Sequence, residues 1–160
     1  MQKGILFRRT HLQQLNLGSV NITAATIPQL GRTLPNLRRL DLTYCVSAVT
    51  DTSFEKVWPY FRRLTDLRLD WCRALSNEGI GVRLPQSFLH ANATPQEKTP
   101  TEQSMGITIL KDLVHLSLVG CSQLSDSAFL ALRFNALRYL NLASCFKVIL
   151  YQVLLVCKLK

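Results

Sequence analysis

Leu37-Arg38-Arg39-Leu40-Asp41-Leu42-Thr43-Tyr44-Cys45 decides the fold, because its pattern, LxxLxLxxC, returns three more times in the chain. Leu64 to Cys72, Leu113 to Cys121 and Leu137 to Cys145 repeat it in full. A weaker fifth copy begins at Leu12 with Leu15 and Leu17, and has Val20 and Asn21 where the others reach Cys. The first leucines stand at 12, 37, 64, 113 and 137, in steps of 25, 27, 49 and 24 residues. A period of that size marks a repeat architecture. The step of 49 is one period with an insertion.

Within each copy, LxL sets two leucines on one face of a short strand and turns the residues between them outward. A second signature follows each Cys: Val49-Thr50-Asp51-Thr52-Ser53-Phe54, Leu75-Ser76-Asn77-Glu78-Gly79-Ile80 and Leu124-Ser125-Asp126-Ser127-Ala128-Phe129. Thr or Ser followed by Asp or Asn caps a helix, and the apolar residue four positions on faces inward. Each unit is therefore expected to be strand, turn, helix. One such unit buries too little apolar surface alone, so neighbours stack. The expected fold is α/β: a right-handed leucine-rich-repeat solenoid, or horseshoe, with parallel strands on the concave side and helices on the convex side.

Residues 1–160 read as one domain of about five repeats, in line with ordinary domain sizes. The insertion, at about 83–111, holds Pro85, Pro95 and Pro100 among Gln, Thr and Glu and lacks strand or helix periodicity, so a mobile loop is expected there. Residues 147–160 read as an irregular apolar tail. Apolar residues at 48% and charged residues at 18% exclude a disordered chain. Ile5-Leu6-Phe7 is too short for a signal core, and Val148 to Cys157 is about half of a bilayer span. The expected setting is cytoplasmic or nuclear, without a membrane, and with the five cysteines reduced.

Cys45, Cys72, Cys121 and Cys145 share one repeat position, so their parallel Cβ vectors form a ladder and do not converge on a tetrahedral ion. Buried structural thiols are expected, with no metal. His11, His90 and His115 are the only histidines, and none stands in a nucleophile–base–acid constellation. No phosphate-cradling glycine loop is present. The chain is therefore read as non-catalytic and without a cofactor.

The outward strand positions carry the interest. The expected protein-binding residues of the concave face are Arg39, Asp41, Tyr44, Asp66, Arg68, Asp70, Trp71, His115, Tyr139 and Asn141, with Gln14, Asn16, Thr43 and Ser117 completing the rows. Trp, Tyr and Arg are common interface anchors, which singles out Trp71, Tyr44, Arg68 and Arg39. The other reading is a solvated sheet face with Trp71 folded over a neighbouring repeat. Nineteen Lys+Arg against ten Asp+Glu leave +9, a field that favours acidic partners. The basic pairs Arg38-Arg39 and Arg62-Arg63 are interrupted by Asp41, Asp66 and Asp70, so they read as a solvated flank and not as a nucleic-acid stripe.

The Cys after LxxLxL, the Thr-Asp about five residues later and the period near 26 together resemble the cysteine-containing leucine-rich repeats of the F-box/LRR family. The resemblance covers about residues 12–146. It implies a substrate-recognition component of a Skp–cullin–F-box ubiquitin ligase, with a protein substrate and with the Skp adaptor and cullin as partners. Two departures set further expectations. No F-box is visible in the eleven residues before Leu12, and after Cys145 the chain gives Phe146-Lys147-Val148 in place of the helix start. A shortened form of a longer receptor is expected. The alternative is a stand-alone repeat protein that scaffolds or competitively inhibits.

Overall fold

In the computed structural model the described residues are 11–54, 57–81, 106–130 and 135–149. They form an α/β structure around one all-parallel sheet of five strands: β1 (Gln14–Asn16), β2 (Arg39–Asp41), β3 (Asp66–Arg68), β4 (His115–Ser117) and β5 (Tyr139–Asn141). Strand order in space equals order in the chain. The register is uniform, with Leu15, Leu40, Leu67, Leu116 and Leu140 meeting side by side. Each is the second leucine of its repeat copy, so one sequence position becomes one row across the sheet.

The leucines of the repeat supply the core. Leu40, Leu42, Leu67, Leu69, Leu116 and Leu118 are buried, and each such side chain contributes roughly 1.5–3 kcal/mol by leaving water. A residue three places before the second, third and fourth copies joins them: Leu34, Phe61 and Leu110 are buried and accept at their carbonyls from the N–H groups of Leu37, Leu64 and Leu113. Three places after each Cys the pattern recurs. Ala48, Leu75, Leu124 and Val148 donate their N–H groups to the carbonyls of Cys45, Cys72, Cys121 and Cys145.

Two boundaries move relative to the sequence reading. Gly106–Ile109 forms a 3-10 turn whose Ile107 is buried, followed by buried Leu110, so 106–111 belongs to the packed unit and not to the insertion. Residues 82–105 lie outside the described residues, as does most of the expected loop. Their flanks meet: Ile107 N–H donates to the Ile80 carbonyl at 2.9 Å, and Gly81 and Gly106 pack backbone against backbone with φ of +87° and +43°. Only residues lacking Cβ fit that approach. With 82–105 set aside, the long step of 49 shrinks to an ordinary 25. The second boundary is at the other end. Lys147 bridges Ser125 in parallel and Val148 packs on the core, so the last unit keeps its pattern through Ile149; 150–160 lies outside the described residues.

Helices are fewer than the signatures suggest. α1 (Thr26–Thr33) follows the weak first copy, α2 (Asp51–Phe54) and α3 (Asp126–Leu130) follow the second and fourth, and Asn77 to Gly81 is turn. Gly79 and Gly81 each cost about 1 kcal/mol in a helix, which accounts for the missing one. The inward positions hold regardless: Phe54, Ile80 and Phe129 are each 0% exposed.

The Thr-Asp signature works in two parts. Thr50 Oγ1 accepts from Ser53 N–H at 3.3 Å, a cap on its own helix. Asp51 instead reaches the next unit, accepting from Ser76 N–H (2.7 Å), Ser76 Oγ (2.6 Å) and Gly79 N–H (3.1 Å). Asn77 repeats the move, with Ser125 N–H donating to its Oδ1 at 3.0 Å and its Nδ2 donating to the Ser125 and Ser127 hydroxyls. Asp126 does so again with Ile149 N–H at 2.6 Å. The acid or amide after the Thr or Ser is thus a staple between units, satisfying backbone N–H groups of its neighbour.

Candidate functional site

Because β-strand side chains alternate, the residues flanking each central leucine share the solvent side of the sheet. They make two rows, Gln14–Arg39–Asp66–His115–Tyr139 and Asn16–Asp41–Arg68–Ser117–Asn141. On β2 and β3 these rows form a checkerboard of charge. Arg39 Nε lies 3.5 Å from Asp66 Oδ2, and Arg68 Nη1 lies 3.7 Å from Asp41 Oδ2. Both arginines are mostly exposed, so each pair is worth roughly 0–1 kcal/mol. Asp66 is shared further, since His115 Nδ1 stands 3.0 Å from its Oδ1 and Thr65 Oγ1 donates to Oδ2 at 2.6 Å.

β4 and β5 differ in character. His115 and Tyr139 stack with centroids 4.4 Å apart and planes 8° apart, and Tyr139 is 61% exposed. Asn141 turns its Oδ1 back to the Ala143 N–H at 3.1 Å. Between β3 and β5 lies an open groove of about 710 Å³ bounded by Asp66, Arg68, His115, Ser117, Arg138 and Tyr139. A smaller one of about 370 Å³, lined by Gln14, Asn16, Arg39, Asp41, Asp66 and Arg68, lies across β1 to β3.

One expected contact residue is placed differently. Asp70 is only 8% exposed and accepts from Ser117 Oγ at 2.6 Å and Val119 N–H at 2.9 Å. It is a strut under the face. The reason is positional: Asn16, Asp41 and Asn141 each accept the N–H two residues ahead, and on β4, where Ser117 holds that place, Asp70 supplies the acceptor from β3. Trp71 is half-buried and lies over Gly120 of the next unit, with its ring parallel to Tyr44 at 5.8 Å and the Arg73 guanidinium 5.4 Å above it. Of the two sequence readings for Trp71, folding over a neighbour is the one observed.

Tyr44 and Trp71 sit at the strand ends in an unusual backbone. Ser19, Tyr44, Trp71, Gly120 and Ser144, the residues before the Cys position of each copy, all have φ between 60° and 69°. For a residue with a side chain this costs of order 1–3 kcal/mol. It is held in place because the N–H groups of Ser19, Tyr44, Trp71 and Gly120 each donate to a carbonyl of the next unit, at Thr43, Asp70, Val119 and Ala143.

The cysteines follow one rule. Cys45, Cys72, Cys121 and Cys145 Sγ donate to the carbonyls of Leu17, Leu42, Leu69 and Leu118, the last leucine of the preceding copy, at 3.0–3.4 Å. Burial raises all four thiol pKa values, pushing Cys72 and Cys121 up to about 12. They stay protonated donors at neutral pH, which suits hydrogen bonding and not nucleophilic attack. Among the described residues no group of His, Cys, Asp and Glu is placed to hold a metal ion, and no helix is long and apolar enough to cross a membrane.

The structure therefore brings Arg39, Asp41, Asp66, Arg68, His115, Tyr139 and Asn141 onto one face, keeps Tyr44 and Trp71 at its rim and withdraws Asp70 beneath it. Arg138 is a groove residue that the outward-row argument passes over, since it precedes the strand. Its signal was Arg38 at the same place in the second copy. No family model matches the chain, and no curated protein sequence matches it significantly.

Proposed function

We propose that this chain is a protein-binding leucine-rich-repeat module, a right-handed solenoid whose strands line a concave recognition face and whose helices and turns form the convex side. In this reading it is the non-catalytic substrate-recognition component of a Skp–cullin–F-box ubiquitin ligase, working in the cytoplasm or nucleus. The observation that carries it is the register: five copies of one motif align so that each outward position becomes a row, and those rows hold exposed Arg, His and Tyr side chains beside an open groove. Such residues on a pre-formed face suit protein recognition.

The test is affinity capture from cell lysate with the whole chain and with an Arg68→Ala, Tyr139→Ala variant, both exposed positions. Recovery of the Skp adaptor and cullin with the native chain supports the ligase assignment. Proteins captured by the native chain and lost from the variant, without adaptor or cullin, replace it with the stand-alone scaffold or competitive inhibitor. No specific capture removes the binding reading.

A further inference from the structure

We infer that the groove between β3 and β5 receives an extended acidic peptide segment, its anions being carboxylates or phosphates; this rests on the recognition face proposed above. The argument is a census of hydrogen-bonding capacity. Asp66, the acid in the groove's lining, is already occupied, and the two acids beside Arg68 are held by other donors. Asp66 has Thr65 Oγ1 at 2.6 Å and His115 Nδ1 at 3.0 Å, Asp70 is buried under Ser117 and Val119, and Asp41 takes the Thr43 N–H at 3.0 Å. The donors are not. Arg68 is 62% exposed, and its ion-pair distances, 3.7 Å to Asp41 and 4.0 Å to Asp70, are too long for hydrogen bonds. Arg138 is exposed and has no acceptor among the described residues.

A groove with spent acceptors and open donors is complementary to an acceptor-rich ligand, and a guanidinium fork matches both carboxylate and phosphate. The His115 and Tyr139 rings line the same groove and, stacked face to face across neighbouring strands, leave their edges for the peptide chain to pack on. Arg68 and Arg138 rise from strands two spacings apart and differ by three residues along the strand, which separates them by ~14 Å. That span is about four residues of extended chain, so the peptide presents two acidic groups with that spacing. The chain's +9 charge adds a long-range attraction for such a segment.

The test is selection from degenerate synthetic peptides with serine, glutamate, phosphoserine or lysine at fixed positions, using the whole chain, followed by anisotropy titration of the selected sequences. Acidic residues about four apart should be enriched. Arg68→Ala and Arg138→Ala should each weaken binding about tenfold, while Arg32→Ala, which removes the same charge from α1, should change it less than about twofold. Asp66→Asn should tighten binding a few-fold, a gain that misfolding does not produce. Preference for glutamate or for phosphoserine identifies the anion. Selection of neutral or basic sequences that is still lost with Arg68→Ala keeps the recognition face and overturns the acidic specificity. No selection at all overturns both, and equal loss with Arg32→Ala overturns the groove as the site.

Discussion

Two rows of acids and amides cross the units of this molecule, and they do different work with the same chemistry. Asp51, Asn77 and Asp126 reach backbone N–H groups of the following unit and sit partly buried. Asp41 and Asp66 are partly buried too, but among the described residues reach no backbone N–H of another unit and look at exposed arginines. A carboxylate that accepts a backbone N–H satisfies a donor with no other partner, so its loss leaves that donor exposed to the full desolvation cost. One that faces an arginine already in water gains little. The first row holds the units together, and the second leaves its exposed arginines within reach of a ligand.

The sharpest way to break this contrast is Asp51→Ala. It orphans the Ser76 and Gly79 N–H groups at once, and the expected loss is about 2–3 kcal/mol of stability, read as a lower urea midpoint. A loss under about 0.5 kcal/mol would put the two rows on the same footing. Gly120→Ala comes next. Its new Cβ would enter a left-handed site, φ +69°, and press on the Trp71 ring, so a loss of about 1–2 kcal/mol is expected. Trp71 emission should shift to the red as the ring lifts off, with the buried Trp58, whose Nε1 donates to the Gly79 carbonyl, as the unshifted reference.

The thiol ladder gives a third test through pH. Cys72 and Cys121 are raised by burial from 9.0 to about 12, so the unfolded chain releases their protons before the folded one does. Their contribution is fully present below pH 9 and is lost as pH rises toward about 12. Urea midpoints should therefore fall across that alkaline range, and a Cys72→Ser, Cys121→Ser variant should fall less steeply. Equal slopes would assign the alkaline loss to other groups.

The contrast also separates what could be read in the sequence from what could not. Leu40, Leu67, Leu116 and Leu140 were legible because a period-two alternation inside a fixed repeat leaves one arrangement that buries them together. Phe54, Ile80 and Phe129 were legible for the same reason, although one of the three helices expected around them is a turn. Asp51 and Asn77 are legible as part of a capping signature but not as staples, since a staple depends on how close the neighbouring unit lies. Asp70 was misassigned to the surface because strand alternation does not report that Ser117, on the next strand, lacks an acceptor for Val119. Arg138 and Leu110 were missed through boundaries, which periodicity marks least sharply. On the face itself, Arg39, Asp66, Arg68, His115 and Tyr139 lie where alternation puts them; their pairings depend on side-chain reach, which no spacing encodes.

The smallest effect completes the comparison. Arg39→Ala removes the 3.5 Å pair with Asp66, yet His115 and Thr65 remain on that carboxylate, so no buried group is orphaned. The expected cost is under about 0.5 kcal/mol and shrinks further with added salt, because both partners are reached by solvent. A double-mutant cycle of Arg39→Ala with Asp66→Asn measures the coupling directly. A value near that of a backbone-directed staple, about 2 kcal/mol and insensitive to salt, would make the exposed checkerboard a structural clamp and take Asp66 out of the groove's tunable wall.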